Sequence, residues 1–459
     1  MSDFFTDDQL KELLDITKKD NNIEVSTQFH KQVQGTLASL PNRRPRKNLV
    51  IPSIIAAAII ISSTAVFANN VPIVKDIVTF FKSHMVLKDS KDTDSYEKYG
   101  KSIGKTVASS GVSITIDNVA CDDNYLVLFY TAEGDGEKTI NGQGGVPIIQ
   151  GVHGNFKVNG KKVDNKVDTI GDSYITEDGK IKGRLKADIS KETFTDELNI
   201  DFKAFAAMDK RGEWNFSLKV SKAATMKDTK IVNVNKEYVV KFQDHENHIK
   251  IEKVSITPFA NSIVISESFL NRMNIDPLSF FALYDDKGNS LDILRKGGFR
   301  SSKTGARNSF EFIKGGKDMK SIRLVPVALH FDRPVKGITS PIADIDTFPR
   351  ELKVSDRGSV VVQKVEFTDI STKIYYTLKG YIADWGMSGD DFFFVDDKGK
   401  DAYQNHSPIQ WDYVLDREKG VYVNVLPPLD KTKKYKLGCH KDGCYEYLED
   451  QSIVIPLNN

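Results

Sequence analysis

The amino-acid sequence predicts a mainly β protein: serial antiparallel Ig-like β-sandwich domains that follow one transmembrane helix, with a short α-helical tail ahead of that helix. Three observations predict it. Leu49 to Ala68 are 20 consecutive uncharged, mostly apolar residues, the length of helix that crosses roughly 30 Å of hydrocarbon. Downstream, short stretches alternate apolar and polar residues, the pattern of strands with one face on a core and the other in solvent. These stretches recur at long offsets, which indicates domains in series, since solenoid repeats are shorter.

The tail, residues 1–48, reads as two short helices. In Phe5-Thr6-Asp7-Asp8-Gln9-Leu10, Thr6 and Gln9 have the spacing of a capping box, and Phe5 and Leu10 that of a hydrophobic staple. Leu10, Leu13 and Leu14 share one face, and Lys18, Lys19, Asn21 and Asn22 mark its end. A second helix starts at Ser26, carries Phe29, Val33, Leu37 and Leu40 near helical spacing, and stops at Pro41. Two amphipathic helices this short cannot bury both apolar faces on each other, so they require a partner. Loose mutual packing is the simpler alternative. Docking on the membrane surface fits less well, because the polar face lacks Lys/Arg enrichment. Before Arg43 the tail holds four basic and seven acidic residues, which suits a basic cytoplasmic partner.

The apolar segment, residues 49–68, is preceded by Arg43, Arg44, Arg46 and Lys47, whereas Asn69 to Val74 is uncharged. Positive charge stays on the cytoplasmic side, so the tail is cytoplasmic and the bulk of the chain lies outside the cell membrane. Pro52 falls in the first turn, where no helical bond is lost. Val66-Phe67-Ala68 resembles a signal-peptide cleavage site, but the preceding basic and apolar regions are both too long for one. Residues 69–105 then read as a juxtamembrane helix, with Val74, Ile77, Phe80 and Phe81 at helical spacing, followed by a polar linker from Lys88 to Lys105.

The rest divides into sandwiches at 106–225, 236–355 and 356–459. Ile249-Lys-Ile251-Glu-Lys253-Val254 aligns with Val360-Val-Val362-Gln-Lys364-Val365 at an offset of 111, as does Ile263–Ser266 with Ile374–Thr377. Phe281-Ala-Leu-Tyr-Asp285-Asp286-Lys287-Gly288 falls on Phe392-Phe-Phe-Val-Asp396-Asp397-Lys398-Gly399 at the same offset. A first copy, Ile114–Val119 with Leu128–Tyr130, precedes Ile249 by 135. Each copy opens with two alternating strands around a polar turn, and Trp214–Val220 and Val421–Val425 are further alternating strands.

Little in the sequence points to chemistry. The chain holds 64 Lys+Arg and 63 Asp+Glu, a balance that points to neither nucleic acid nor an anionic glycan as an obligatory partner. The two Asp-Asp-Lys-Gly motifs lack the spaced oxygen ligands of a calcium loop and read as hairpin turns with glycine at positive φ. Asp122-Asp123-Asn124 reads as a similar turn. His245-Glu246-Asn247-His248 is one residue short of a zinc-protease motif and reads as a polar turn before a strand. No nucleophile elbow or phosphate loop is present, so no enzyme, cofactor or metal is expected. Three cysteines are too few for a disulfide-stapled scaffold. Cys439 and Cys444 flank Asp442-Gly443, so they either bridge a hairpin or remain free thiols.

The tail ending in Phe29, Val33, Leu37 and Leu40, the span ending Ala65-Val-Phe-Ala68 and the opening Ile114 to Tyr130 together resemble a family of single-pass membrane proteins of unknown function. These come from low-GC Gram-positive bacteria, are encoded beside extracytoplasmic-function sigma factors and are regarded as anti-sigma factors. The resemblance covers the first half of the chain, and the second repeat resembles an Ig-like domain of such proteins. It implies that the tail sequesters a sigma factor, with Leu10, Leu13, Leu14, Phe29, Val33, Leu37 and Leu40 packing into a groove of the partner. It further implies an envelope ligand or protein outside and release of the tail by a site-specific protease, for which Ser62-Ser63-Thr64 would loosen the span. The tail lacks the His/Cys pattern of zinc-binding anti-sigma domains, and Ser26 stands where the resemblance leads one to expect proline in many members. The competing expectation is an envelope-facing adhesion or scaffold protein of serial Ig-like domains with no transcriptional role.

Overall fold

The computed structural model describes residues 92–141, 147–166, 173–243, 245–269, 280–294, 305–329, 341–369, 371–383, 385, 391–403, 411–440 and 445–457. The tail, the apolar segment 49–68 and Val71 to Val86 lie outside the described residues, and so do all seven predicted tail-site residues. Among the described residues no helix is long and apolar enough to cross a membrane.

What is described is mainly β, built from several antiparallel sheets. The first sheet runs in the order Lys101–Ser109, Val112–Cys121, Tyr125–Gly134, Ile181–Asp188, Lys161–Lys166, Val152–Val158, Glu197–Ala207, Lys210–Ser221. It folds over on itself around Ile116, Leu128, Phe156, Phe202 and Phe216. Across that core Trp214, fully buried, donates its indole N–H to the Val112 carbonyl at 2.8 Å. The predicted strand around Trp214 buries every second residue, as its sequence alternates.

The second sheet has the order Lys230–Phe242, His245–Ile256, Asn261–Phe269, Gly305–Ile313, Ser290–Ile293, Phe280–Asp285, Ser321–Leu329, and it ends on two strands from the far end of the chain, Tyr445–Tyr447 and Ile453–Pro456. The segment predicted as the third sandwich is therefore bracketed on both sides by the second. Leu448, Ile453, Ile455 and Leu457 enter the second core. Gln451 closes the far edge: its side-chain oxygen accepts from Lys241 N at 2.7 Å and its amide donates to Lys241 O at 2.7 Å, replacing the backbone partner that an edge strand lacks. Between these pieces stand a five-stranded sheet, Arg350–Lys353, Gly358–Phe367, Thr372–Gly380, Val421–Leu426, Trp411–Asp416, and a three-stranded one, Ile342–Asp344, Tyr435–Cys439, Phe392–Asp396. They share a third core that includes Val362, Tyr376, Phe394 and Cys439.

The repeats seen in the sequence are repeats of structure down to an irregularity. Pairing in the opening hairpins shifts register between Ile116 and Asn118, Ile251 and Lys253, and Val362 and Lys364, positions related by the same offsets of 135 and 111. Each shift is a bulge that leaves one residue unpaired and re-aims it: Asp117, Glu252 and Gln363. The Asp-Asp-Lys-Gly turns also match. Asp285 Oδ1 accepts from Lys287 N at 2.9 Å and Asn289 N at 2.7 Å, and Asp396 Oδ1 accepts from Lys398 N and Lys400 N, both at 2.9 Å. Gly288 and Gly399 sit at φ +84° and +75°, where a side chain is strained.

Three expectations need correction. His245 to His248 is no turn but the start of the strand His245–Ile256, with His245 opposite Phe242 and His248 opposite Val239. Asn247, Ile249 and Ile251 are all buried, so the inward alternation begins on a polar residue, which conceals it in the sequence. The stretch read as a linker up to Lys105 contains a helix, Asp92–Tyr99, and most of the edge strand Lys101–Ser109. That strand is polar because it is exposed along most of its length. Val421–Leu426 alternates in sequence, yet every residue from Tyr422 to Leu426 is buried, Val423 lying between Tyr375 and Tyr413 on neighbouring strands.

Candidate functional site

The most heavily built polar site among the described residues is where the three sandwiches meet, and it centres on Glu311. This residue lies in the strand Gly305–Ile313 between Phe310 and Phe312, which face the second core, so period-two alternation turns its carboxylate outward. Outward here is not into water: the side chain is 8 % exposed. The first sandwich supplies Lys186, 3.5 Å away, and the Tyr125 hydroxyl, which donates at 2.5 Å. Arg417, in the turn after Trp411–Asp416, donates from the third sandwich side. Lys186 Nζ also sits 3.6 Å from the centroid of the Tyr125 ring, a cation–π contact that is worth most where water is excluded. Burial alone would push the Glu311 carboxyl up, but the charges of Lys186 and Arg417 outweigh it and hold the group well below the usual carboxylate range. Burial and the neighbouring Glu311 charge push the Tyr125 hydroxyl well up.

Two flanking networks extend this junction. On one side Asp122, fully buried, accepts from Asn124 N and Tyr125 N at 2.8 Å through Oδ1, and from Phe259 N of the second sandwich at 2.9 Å through Oδ2. Burial pushes its carboxyl up to about 6 against the pull of these donors. Asn124 donates to the Ala260 carbonyl at 2.7 Å and accepts from Ser262 Oγ at 2.8 Å. On the other side Lys314 Nζ donates to Asp292 and to the Leu378 carbonyl, both at 2.8 Å, and Tyr422 OH donates to Asp292 at 3.0 Å. The turn predicted at Asp122-Asp123-Asn124 is thus a turn and also a joint between sandwiches.

An open cleft of about 360 Å³ borders the first joint, with Lys98, Tyr99, Asp228 and Lys317 on its wall. Hydrogen bonds from Tyr99, Lys98 and Lys317 hold the Asp228 carboxyl below its usual range. Among the described residues no three His, Cys, Asp or Glu side chains converge as a metal site would need. Cys439 is fully buried in the third core, and Cys444 lies outside the described residues.

Sequence reasoning did not single out Lys186, Glu311 or Arg417. Glu311 reads as an ordinary solvent-facing residue of an amphipathic strand, and the only local signal is a charge flanked by two phenylalanines. The burial comes from a neighbouring sandwich, which strand periodicity does not encode.

Residues 43–134 match a family model described as a domain of unknown function, DUF4179, and residues 229–352 match a family of unknown function, DUF5643. No curated protein matches. A solved structure, the crystal structure of the conserved domain protein from Bacillus anthracis, is 18% identical over 58% of this chain and 83% of that chain, with a TM-score of 0.34, too low a likeness to carry an inference.

Proposed function

We propose that this protein is a single-pass membrane regulator of anti-sigma type, with its tail in the cytoplasm and its Ig-like sandwiches outside. The observation that carries this reading is the uncharged run of residues 49–68 behind a basic cluster, which separates a short amphipathic tail from a large β-rich remainder. The tail holds a sigma factor at the membrane through Leu10, Leu13, Leu14, Phe29, Val33, Leu37 and Leu40, and its acidic residues steer the encounter. The exported sandwiches meet the envelope signal, and cleavage near the span by a site-specific protease frees the partner. The sealed junction around Glu311 supports this reading, because sandwiches locked together move as a body and pass a push or pull to the chain that enters them.

The test is capture of cytosolic proteins on residues 1–47 carried as a soluble fusion, with Leu13→Asp, Val33→Asp as the control. A sigma factor recovered by the natural tail and lost with the control supports the regulator. Capture of no sigma factor, together with unchanged gene expression when residues 1–42 are deleted, rejects it in favour of an envelope-facing scaffold.

A further inference from the structure

The helix Asp92–Tyr99, through which the chain enters the first sandwich, is too short and too polar to persist by itself. It has eight residues, Asp-Thr-Asp-Ser-Tyr-Glu-Lys-Tyr, and isolated helices shorter than about 12–15 residues are marginal even when rich in alanine. This one holds neither alanine nor leucine, and aspartate, threonine, serine and tyrosine are indifferent helix formers. Its helicity therefore comes from what it touches.

Those contacts lie on both sides of the joint between the first and second sandwiches. Of Ser95 to Tyr99 only Tyr96 is buried. Its ring packs against Phe129 of the first sandwich, with centroids 5.6 Å apart, and against Phe259 of the second, with centroids 4.9 Å apart, in a small core that also contains Val127 and Ala260. Tyr99 sets a second ring against Phe259 at 6.2 Å. The same end of the helix is clasped through Asp228, in the link between the two sandwiches. Tyr99 OH and, at 3.1 Å, Lys98 Nζ donate to its Oδ2, while Lys317 Nζ, from a loop of the second sandwich, donates to its Oδ1 at 3.2 Å. Gly100 then turns the chain straight into the strand Lys101–Ser109: its N–H donates to Tyr96 O at 2.8 Å, and a Cβ there would come within 2.5 Å of that oxygen. The first sandwich supplies only one side of this seat.

We propose that this helix is a strap whose folding is coupled to the joint: it stays helical while the first and second sandwiches are together and unwinds when they part. Parting them withdraws Phe259 and Lys317 at once, which uncovers one side of Tyr96 and leaves Asp228 without its tie to the second sandwich. Eight residues cover about 12 Å as a helix and about 26 Å when extended, so unwinding releases about 14 Å of chain ahead of Lys101. An opening of the joint thus becomes a change of length at the point where the chain enters the sandwiches. For a regulator of the kind proposed above, the strap is the element that yields when the joint does; nothing in it requires a sigma factor.

Hydrogen exchange of the Tyr96 to Gly100 amides, which a helix beginning at Asp92 bonds within itself, tests this on the full chain in detergent micelles. Two variants weaken the joint from the second sandwich. Phe259→Ala removes the ring against Tyr96. Arg307→Ala cuts the joint elsewhere, where Nη2 donates to Lys191 O and Nη1 lies 3.6 Å from Glu192 of the first sandwich; none of these contacts involves the helix. Both variants should speed exchange of these amides several-fold while Glu197–Ala207 of the first sandwich keeps its protection. Joining the sandwiches covalently should reverse the effect. Ser190 Oγ and Ser309 Oγ lie 2.6 Å apart across the joint, so Arg307→Ala combined with Ser190→Cys and Ser309→Cys should exchange slowly when oxidised and fast when reduced. Exchange in Arg307→Ala no faster than in the natural protein overturns the proposal, whatever Phe259→Ala does, because the helix is then held by its local contacts alone. So does an oxidised triple variant that stays as fast as Arg307→Ala.

Discussion

At the scale of single residues, Glu311 decides most. It is the shared counter-charge of Lys186 and Arg417, whose side chains are 11 % and 19 % exposed. Glu311→Gln therefore removes the negative charge that two largely buried cations share, a loss on the order of 3 kcal/mol, readable as a lower urea midpoint. The pH dependence has a definite sign. A carboxyl held below its ordinary value of 4.5 contributes stability that is fully present above that value and is lost as pH falls through the depressed one. The gap in stability between the natural protein and Glu311→Gln should accordingly be widest near neutrality and narrow only below pH 4.5. A gap that is constant down to pH 2 to 3 would show that the ionised carboxylate is not what matters. None of this was legible in the sequence, because Glu311, Lys186 and Arg417 come from three separate strand regions and each looks like a solvent-facing charge within its own.

The elements themselves were far more legible. Alternation placed the opening hairpins, and the offsets of 135 and 111 foretold that they are equivalent, because side-chain period and strand pairing are local properties. The two Asp-Asp-Lys-Gly turns were legible for the same reason: the aspartate that caps the turn and the glycine that takes positive φ are close neighbours in sequence. At Gly288 and Gly399 a Cβ would meet nothing within 4 Å, so Gly→Ala at either position should cost only the backbone term of roughly 1–2 kcal/mol, equal at the two sites within error by thermal unfolding. A much larger cost at one site would mean that the turns are not equivalent. The bulges were not legible. An unpaired Asp117, Glu252 or Gln363 leaves the apolar pattern on either side nearly intact, and only the pairing partner reveals the extra residue.

At the scale of the molecule, proximity in sequence misled at one place. The final strands appear to belong with the segment before them, but Ile453–Pro456 pairs with Ser321–Leu324, and Gln451 holds Lys241. Ending the chain after His440 should thus unprotect the second sandwich, seen as faster hydrogen exchange in Ser321–Leu329, while Thr372–Gly380 in the third keeps its protection. The reverse pattern would assign these strands to the third sandwich. Glu449 carries the same link in charge, pairing with Arg323 of the second sandwich and Arg357 of the third.

That return of the chain also fixes an order of events during synthesis. The first sandwich can close once Ser221 has emerged, since all its strands are then available. The second, although next along the chain, must wait for the last fifteen or so residues, an ordering that raises the cost of loop closure. Until then Ser321–Leu329 presents an open strand edge, a template for pairing with other chains. A ribosome that stalls late, or a protease that trims the C-terminus early, would leave the middle of the molecule sticky while both of its neighbours look finished.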